Sequence, residues 1–249
     1  MFLNKPYEVQ PVLWDADSRR FSGFNSFISV YLRKSASYFS LLLLGNNSIN
    51  CREGQAALDK AEAVLSLATQ REFPQWVAFG EAFKGAALVL LGHHQAGLAQ
   101  LNEILPRYFG TGAGVFKTTW LALLAEAYAG TGDLEKGLFH LEEVLAAVET
   151  MNEHCYEAEL YRLQGKLLLA HGVVAAKAEA SFQQAIAIAH HQQAKSLELR
   201  ATVSLARLWQ SQGKREEAWQ MLAKIYGWFT EGFDTVDLKE ARGLLDALS

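Results

Sequence analysis

The chain has 249 residues, half of them apolar, and a formal net charge of −4. This balance lacks the concentrated positive charge that nucleic-acid binding usually requires. The two cysteines, Cys51 and Cys155, are too few for a disulfide framework and have no metal-like spacing. Residues 1–10 lack the layout of a signal peptide, and the longest aliphatic run, residues 41–44, is far too short to span a membrane. We therefore expect a cytoplasmic protein that binds neither nucleic acid nor membrane.

Residues 1–35 follow no repeat and are expected to form an irregular or capping N-terminal segment. Within them Phe27, Ile28, Tyr31 and Leu32 have helical spacing, which favours a capping helix from about residue 25 onward.

From residue 36 onward, small residues recur with a period of about 40. One set is Gly45, Gly85, Ala125, Gly165 and Ala206, and a second set is Ala57, Gly97, Gly137, Ala178 and Ala218. Both sets step by 40 except for a single step of 41, because one residue is inserted between Gly165 and Ala178. A period of this length predicts an array of helical hairpins.

The second helix of each predicted hairpin has one apolar stripe at positions i, i+4, i+7, i+8 and i+11. The five copies of this stripe begin at Ala57, Gly97, Gly137, Ala178 and Ala218. The first helix is less regular but places bulky residues beside its small one. Glycine-containing turns separate the helices, and small residues on both helices allow close packing. We predict an all-α solenoid of about five hairpins over residues 36–235.

The C-terminal residues 236–249 are expected to form a capping helix. Val236, Leu238, Ala241, Leu244, Leu245 and Leu248 form its apolar face. Terminal units of a repeat array need a polar outer face to stay soluble.

The phase of small, bulky and glycine positions resembles the tetratricopeptide repeat, with a longer unit than usual. More specifically, the chain is similar to the C-terminal repeat region of bacterial ATPase and class III adenylate/guanylate cyclase fusion regulators. This similarity rests on EAELYRLQGKLLL at residues 157–169, SLELRA at 196–201, LARLW at 205–209 and IYGWFTEGFDTVDLKEA at 225–241. The resemblance implies a right-handed solenoid that serves as a regulatory or partner-sensing arm. A HEAT-type solenoid is the structural alternative.

Motifs that suggest catalysis or metal binding are weak. Gly110, Gly112 and Gly114 precede Lys117 and Thr118, but a phosphate-binding loop requires glycine directly before the lysine, where this chain has Phe116. The histidine pairs at 93–94 and 190–191 have no acidic or thiol ligands at metal spacing. We therefore expect no enzyme activity, no metal and no cofactor.

The first helices are expected to line a concave groove that binds a protein or peptide, with an acidic segment as one candidate, through charge-assisted hydrogen bonds. The candidate groove residues are Phe79, Glu126, Glu159, Arg162, Lys166, Arg200, Arg207 and Gln210. A solvated charged face is the alternative, because Glu159 stands three residues before Arg162 and can pair with it.

The leading functional hypothesis is therefore a non-catalytic interaction scaffold, acting as a regulatory arm. One alternative is the effector-binding arm of a transcription regulator, with a closed apolar pocket around Phe79, Phe83 and Val89. Another is a truncated remnant of a larger cyclase-type protein. The sequence leaves the partner and the oligomeric state open.

Overall fold

The computed structural model describes residues 46–70, 73–110 and 116–249, and the regular structure in these ranges is helical. A short helical segment at residues 46–50 is followed by ten helices. They are α1 Gly54–Gln70, α2 Pro74–Leu90, α3 His94–Gly110, α4 Lys117–Gly130, α5 Leu134–Met151, α6 Glu157–Ala170, α7 Ala175–His191, α8 Lys195–Ser211, α9 Arg215–Tyr226 and α10 Val236–Leu248. None of these helices is long and apolar enough to cross a lipid bilayer.

The helices form successive antiparallel hairpins, with α2 and α3, α4 and α5, α6 and α7, and α8 and α9 each making one unit. Helix α1 is the second helix of a preceding unit and packs against α2. The first helices α2, α4, α6 and α8 contact one another in order, and α8 also contacts α10. They form one layer of the array. We call the side of this layer that faces away from the second helices the inner face. The predicted α-solenoid is confirmed, with two helices in each unit.

The stripes predicted for the second helices form the interior of this stack. All the stripe residues of α3 are buried, and those of the other second helices are buried or half-buried. Small residues predicted at the first helices are also buried at Gly85, Ala125, Gly165 and Ala206, whereas Gly45 lies outside the described residues. The period of 40 thus predicts which side of each helix packs.

Close packing of the two helices in a unit explains why glycine recurs at these positions. A Cβ atom on Gly97 would lie 2.9 Å from the carbonyl oxygen of Gly85 and 2.6 Å from Cγ2 of Val89. At Gly165 a Cβ atom would lie 2.5 Å from Cε1 of Phe182. These distances are shorter than van der Waals contact, so a larger residue requires the helices to move apart at Gly97, and the Phe182 ring or its helix to shift at Gly165.

An aromatic cluster fills the N-terminal part of the array. The ring of Phe79 lies 4.7 Å from that of Phe83 and 5.8 Å from that of Trp120, measured between centroids, and Tyr108 packs against the same group. Phe79 is only 5% exposed. The expectation that Phe79 is presented in a groove is therefore wrong, because neighbouring aromatic rings cover it. Phe83 and Val89, named with Phe79 for the alternative apolar pocket, are also buried, each with 2% of its surface exposed.

The C-terminal helix α10 packs against α8 and α9, with Leu238, Ala241, Leu244 and Leu248 buried. Asp237 and Glu240 on this helix reach side chains of α8. Residues 1–35, predicted to form an irregular or capping segment, lie outside the described residues.

We expect Gly165→Leu to lower the free energy of unfolding by about 1–3 kcal/mol, because the new side chain would occupy the space of the Phe182 ring. The measurement is thermal unfolding followed by circular dichroism.

Gly243→Leu is the matched control, since a Cβ atom at this helical glycine of α10 meets no atom within 4 Å. Its melting temperature should stay the same or rise, because leucine favours helix more than glycine does. Equal melting temperatures for the two variants would contradict the proposed packing at Gly165.

Candidate functional site: a charged cavity on the inner face

The structure gathers most of the predicted groove residues in one region of the inner face. Glu126 is supplied by α4, the residues 159, 162 and 166 by α6, and the residues 200, 207 and 210 by α8. They come together because the first helices of successive units lie side by side. Phe79, on α2, does not take part.

Two glutamates and two arginines form an ion-pair network at the base of this region. Arg52 donates to both carboxylate oxygens of Glu126, over 2.6 and 3.1 Å, and lies 3.6 Å from Glu159. Arg162 donates to both oxygens of Glu159, over 2.6 and 2.8 Å. Bidentate geometry of this kind gives the strongest charge-assisted hydrogen bonds. The predicted pairing of Glu159 with Arg162 is therefore present, but as a buried pair instead of a solvated one.

Burial and charge act in opposite directions on this network. The side chains of Glu159 and Arg162 are only 1% and 8% exposed. Burial by itself would raise the pKa of Glu159, but Arg162, Arg200 and Arg52 outweigh it and lower the pKa to about 2. Arg52 likewise outweighs burial at Glu126 and lowers the pKa of that carboxyl group. Both glutamates are thus negatively charged at neutral pH.

Arg200 connects the beginning and the end of the described chain. Its Nε atom donates to Asp237 on α10 over 2.7 Å, and its Nη2 atom donates to the backbone carbonyl of Asn50. Residue 50 lies in the first described unit and residue 237 in the C-terminal helix, so Arg200 brings these two parts of the described chain together at the inner face.

Arg52 belongs to this network but was not among the site residues predicted from the sequence. It occupies the turn before α1 with a φ angle of +57°. The corresponding turns of the next four units have glycine at this conformation, at Gly92, Gly132, Gly172 and Gly213. A side chain in this left-handed region is strained, and such strain persists only where other interactions offset it. The replacement of the periodic glycine by arginine was a signal available in the sequence.

Above the network lies a cavity of about 440 Å³ bounded by α6, α8 and α10. Its lining consists of Arg52, Arg162, Lys166, Leu169, Phe182, Arg200, Val203, Ser204, Arg207, Leu208, Ser211, Asp237 and Glu240. Five of these side chains are cations and two are carboxylates, while the others are mostly apolar. We call this space the inner-face cavity.

The remaining candidate residues differ in how accessible they are. Lys166 is exposed, and Arg207 is 57% exposed and lies 2.8 Å from Glu240. Gln210 is half-buried. Arg162 and Arg200 line the cavity but are largely buried, so their main contacts are within the protein. Lys166 and Arg207 are therefore the cavity cations that are most accessible to a ligand.

Metal binding is not indicated in the described part of the chain. No group of three or more histidine, cysteine, aspartate or glutamate side chains is arranged to hold a metal ion there. Instead, the carboxylates nearest the cavity form ion pairs with arginine.

Comparison with known proteins identifies the fold. No protein-family model matches the chain, and no similar sequence was found among curated proteins. Among solved structures, PlcR of Bacillus thuringiensis, in complex with the peptide PapR7 and DNA, superposes with a TM-score of 0.72 at 14% identity, over 92% of this chain and 79% of PlcR. The tetratricopeptide-like repeats of a putative kinesin light chain from Podosopora anserina superpose with a TM-score of 0.51 at 20% identity, over 76% and 92% of the two chains.

These similarities show that the chain has the fold of tetratricopeptide-like helical repeats. At this level of identity they establish the fold alone.

We expect Arg52→Gly to destabilise the protein at neutral pH although it removes a strained backbone angle. The reason is that Glu126 would stay half-buried without its arginine and buried Glu159 would lose one of its two, and breaking a fully buried ion pair costs about 3–5 kcal/mol, which is the upper bound here. Gln193→Gly is the control, because Gln193 also has a φ angle of +57° but makes only a local side-chain contact with the His190 carbonyl. That variant should be as stable as the parent or slightly more stable.

The difference in stability between the Arg52→Gly variant and the parent protein should become smaller at acidic pH. In the parent, a carboxyl group whose pKa is lowered on folding contributes stability above its unfolded pKa of about 4.3, and this contribution is lost as the pH falls towards 2. Removing Arg52 lessens that contribution, so urea unfolding from pH 7 to pH 2.5 should show the two stabilities converging. A constant difference across this range, or equal effects of the two glycine variants, would contradict the network.

Proposed function

We propose that this chain is a non-catalytic scaffold that binds a peptide or protein segment at the inner-face cavity. The observation that supports this most directly is the cavity itself, which is built from three helices of different units and has both charged and apolar walls. Binding sites are typically concave and combine apolar surface with a few convergent polar groups. Helical repeat proteins commonly use their extended concave surfaces in this way.

The finer proposal is that the scaffold is a cytoplasmic regulatory arm of the kind found in bacterial ATPase and cyclase fusion regulators. It is supported by the sequence resemblance at residues 157–169 and 225–241. In such an arrangement the arm senses a partner, and catalysis belongs to other segments. The cavity residues on α6 and α8 lie within or beside the segments of resemblance, so the sensing surface and the family signature coincide.

An alternative is the effector-binding arm of a transcription regulator. It is supported by the fold similarity to PlcR, which was solved with a peptide and DNA. Phe79 and Phe83 are buried, so we place the effector of such an arm at the inner-face cavity as well. Both proposals therefore place the ligand at the same residues.

The test is a selection of 12-residue peptides from a random display library on the full chain, followed by affinity measurements with purified variants. We expect the double reversal Lys166→Glu and Arg207→Glu to weaken binding of selected peptides at least tenfold. Both side chains are exposed, and surface ion pairs contribute little to stability, so circular dichroism should show unchanged helicity.

The matched control is Lys177→Glu with Arg242→Glu, which makes the same change in net charge at exposed positions that do not line the cavity. This variant should bind within twofold of the parent. Selection of no peptide above background, or equal weakening by both double variants, would refute the cavity as the binding site.

A further inference from the structure

The beginning of α10 supplies two carboxylates to the inner-face cavity. Asp237 and Glu240 lie beside the apolar face with which α10 packs against α8 and α9. Asp237 accepts a hydrogen bond from Nε of Arg200 over 2.7 Å, and Glu240 lies 2.8 Å from Nη2 of Arg207. All four side chains line the cavity. The protein therefore pairs two of the cavity cations with acidic groups of its own C-terminal helix.

The pair of Asp237 with Arg200 is less favourable than the pairs of the buried network. Burial raises the pKa of Asp237, and the attraction of Arg200 does not fully offset this effect. At Glu126 and Glu159, by contrast, the arginines outweigh burial and lower the pKa. A carboxylate whose pKa is raised on folding has lost more solvation than its partner returns. A competing acceptor can therefore replace Asp237 beside Arg200 at little cost.

Neither arginine is fully satisfied by α10. Nη1 of Arg200 is buried and has no hydrogen-bond partner among the described residues, and an unpaired buried donor costs free energy. The side chains of Arg207 and Glu240 are 57% and 38% exposed, and surface ion pairs of this kind contribute little to stability. Acceptor groups of a ligand would use the same donors.

The beginning of α10 is also weakly anchored. Thr235 occupies the N-cap position, but its hydroxyl donates to the carbonyl of Gly232 and makes no hydrogen bond to the helix. The first backbone N–H groups of α10 thus lack the side-chain acceptor that stabilises many helix starts. Residues 227–235 connect α9 to α10 and are the longest connection between successive helices of the array. These features allow the first turn of α10 to move while α9 stays in place.

We propose that the first turn of α10 is an autoinhibitory lid on the inner-face cavity. In the closed state Asp237 and Glu240 occupy Arg200 and Arg207, and a bound partner segment displaces these carboxylates. This proposal rests on the proposed function and adds that the protein limits access to its own site. Groups of the same chain act at high effective concentration, so the closed lid lowers the affinity of every ligand that needs these two arginines.

The test uses the double variant Asp237→Asn and Glu240→Gln, which keeps the size of both side chains and removes their charges. Peptides are selected on this variant from a random display library and are then titrated into the variant and the parent, each as the full chain. We expect the variant to bind them at least tenfold more tightly, because its arginines are no longer occupied by carboxylates.

The matched control is Glu231→Gln with Asp246→Asn, which makes the same change in net charge at exposed positions that do not line the cavity. Its affinity should stay within twofold of the parent, which separates release of the lid from general attraction of an acidic peptide. Glu240→Gln alone removes only an exposed pair, so it should fold like the parent and tighten binding at least threefold.

A second measurement needs no peptide. Hydrogen exchange followed by mass spectrometry should show the backbone amides of residues 239–243 exchanging at least fivefold faster in the double variant than in the parent. The amides of α6 should exchange at the same rate in both proteins. This pattern distinguishes an opened lid from a general loss of stability.

The outcomes separate the lid from the scaffold function. If the selected peptides bind the double variant and the parent equally but still depend on Lys166 and Arg207, the lid is refuted and the scaffold function stands. Unchanged exchange at residues 239–243 would also refute the lid. If no peptide binds either protein, both proposals fail.

Discussion

The close approach of paired helices at small residues is the constraint on which this structure depends. Where Gly97 lies against the Gly85 carbonyl and Phe182 fills the space beside Gly165, no larger residue fits without separating the helices. Stacking such units places the first helices side by side. Polar side chains on their inner face then lose water, because neighbouring units cover them. Buried charges must be paired, and this requirement produces the network of Arg52, Glu126, Glu159 and Arg162.

That network also explains how the solenoid holds its curvature. Arg52 extends from the first described turn to α4 and α6, and Arg200 joins the helical segment before that turn to α10. These contacts link parts of the chain that a simple nearest-neighbour stack would leave apart. The strained backbone at Arg52 is consistent with this role, since glycine occupies the same position in the other turns. Stability and the shape of the binding cavity thus depend on the same side chains.

The functional proposals rest on the charged groups of the inner face that are not used for ion pairs buried within the protein. Most charges of the inner face pair within the protein, while Lys166 and Arg207 line the cavity at exposed positions. The fold by itself does not decide this, because tetratricopeptide-like arrays serve many functions. The chemistry of the inner-face cavity is the reason to propose a bound partner.

By itself the amino-acid sequence determined that the chain forms helical hairpins and that each unit has about 40 residues. It also determined which stripes of side chains are buried and where small residues bring two helices into close contact. It did so because each depends on neighbours within one period, and small or apolar residues recur at that spacing. Only the tertiary structure decided which inner-face residues are accessible. Phe79 is covered by aromatic rings from α3 and α4, Arg162 is paired and buried, and Lys166 is exposed. Such burial depends on curvature that brings together residues as far apart as Asn50 and Arg200, and contacts at that separation leave no period in the sequence.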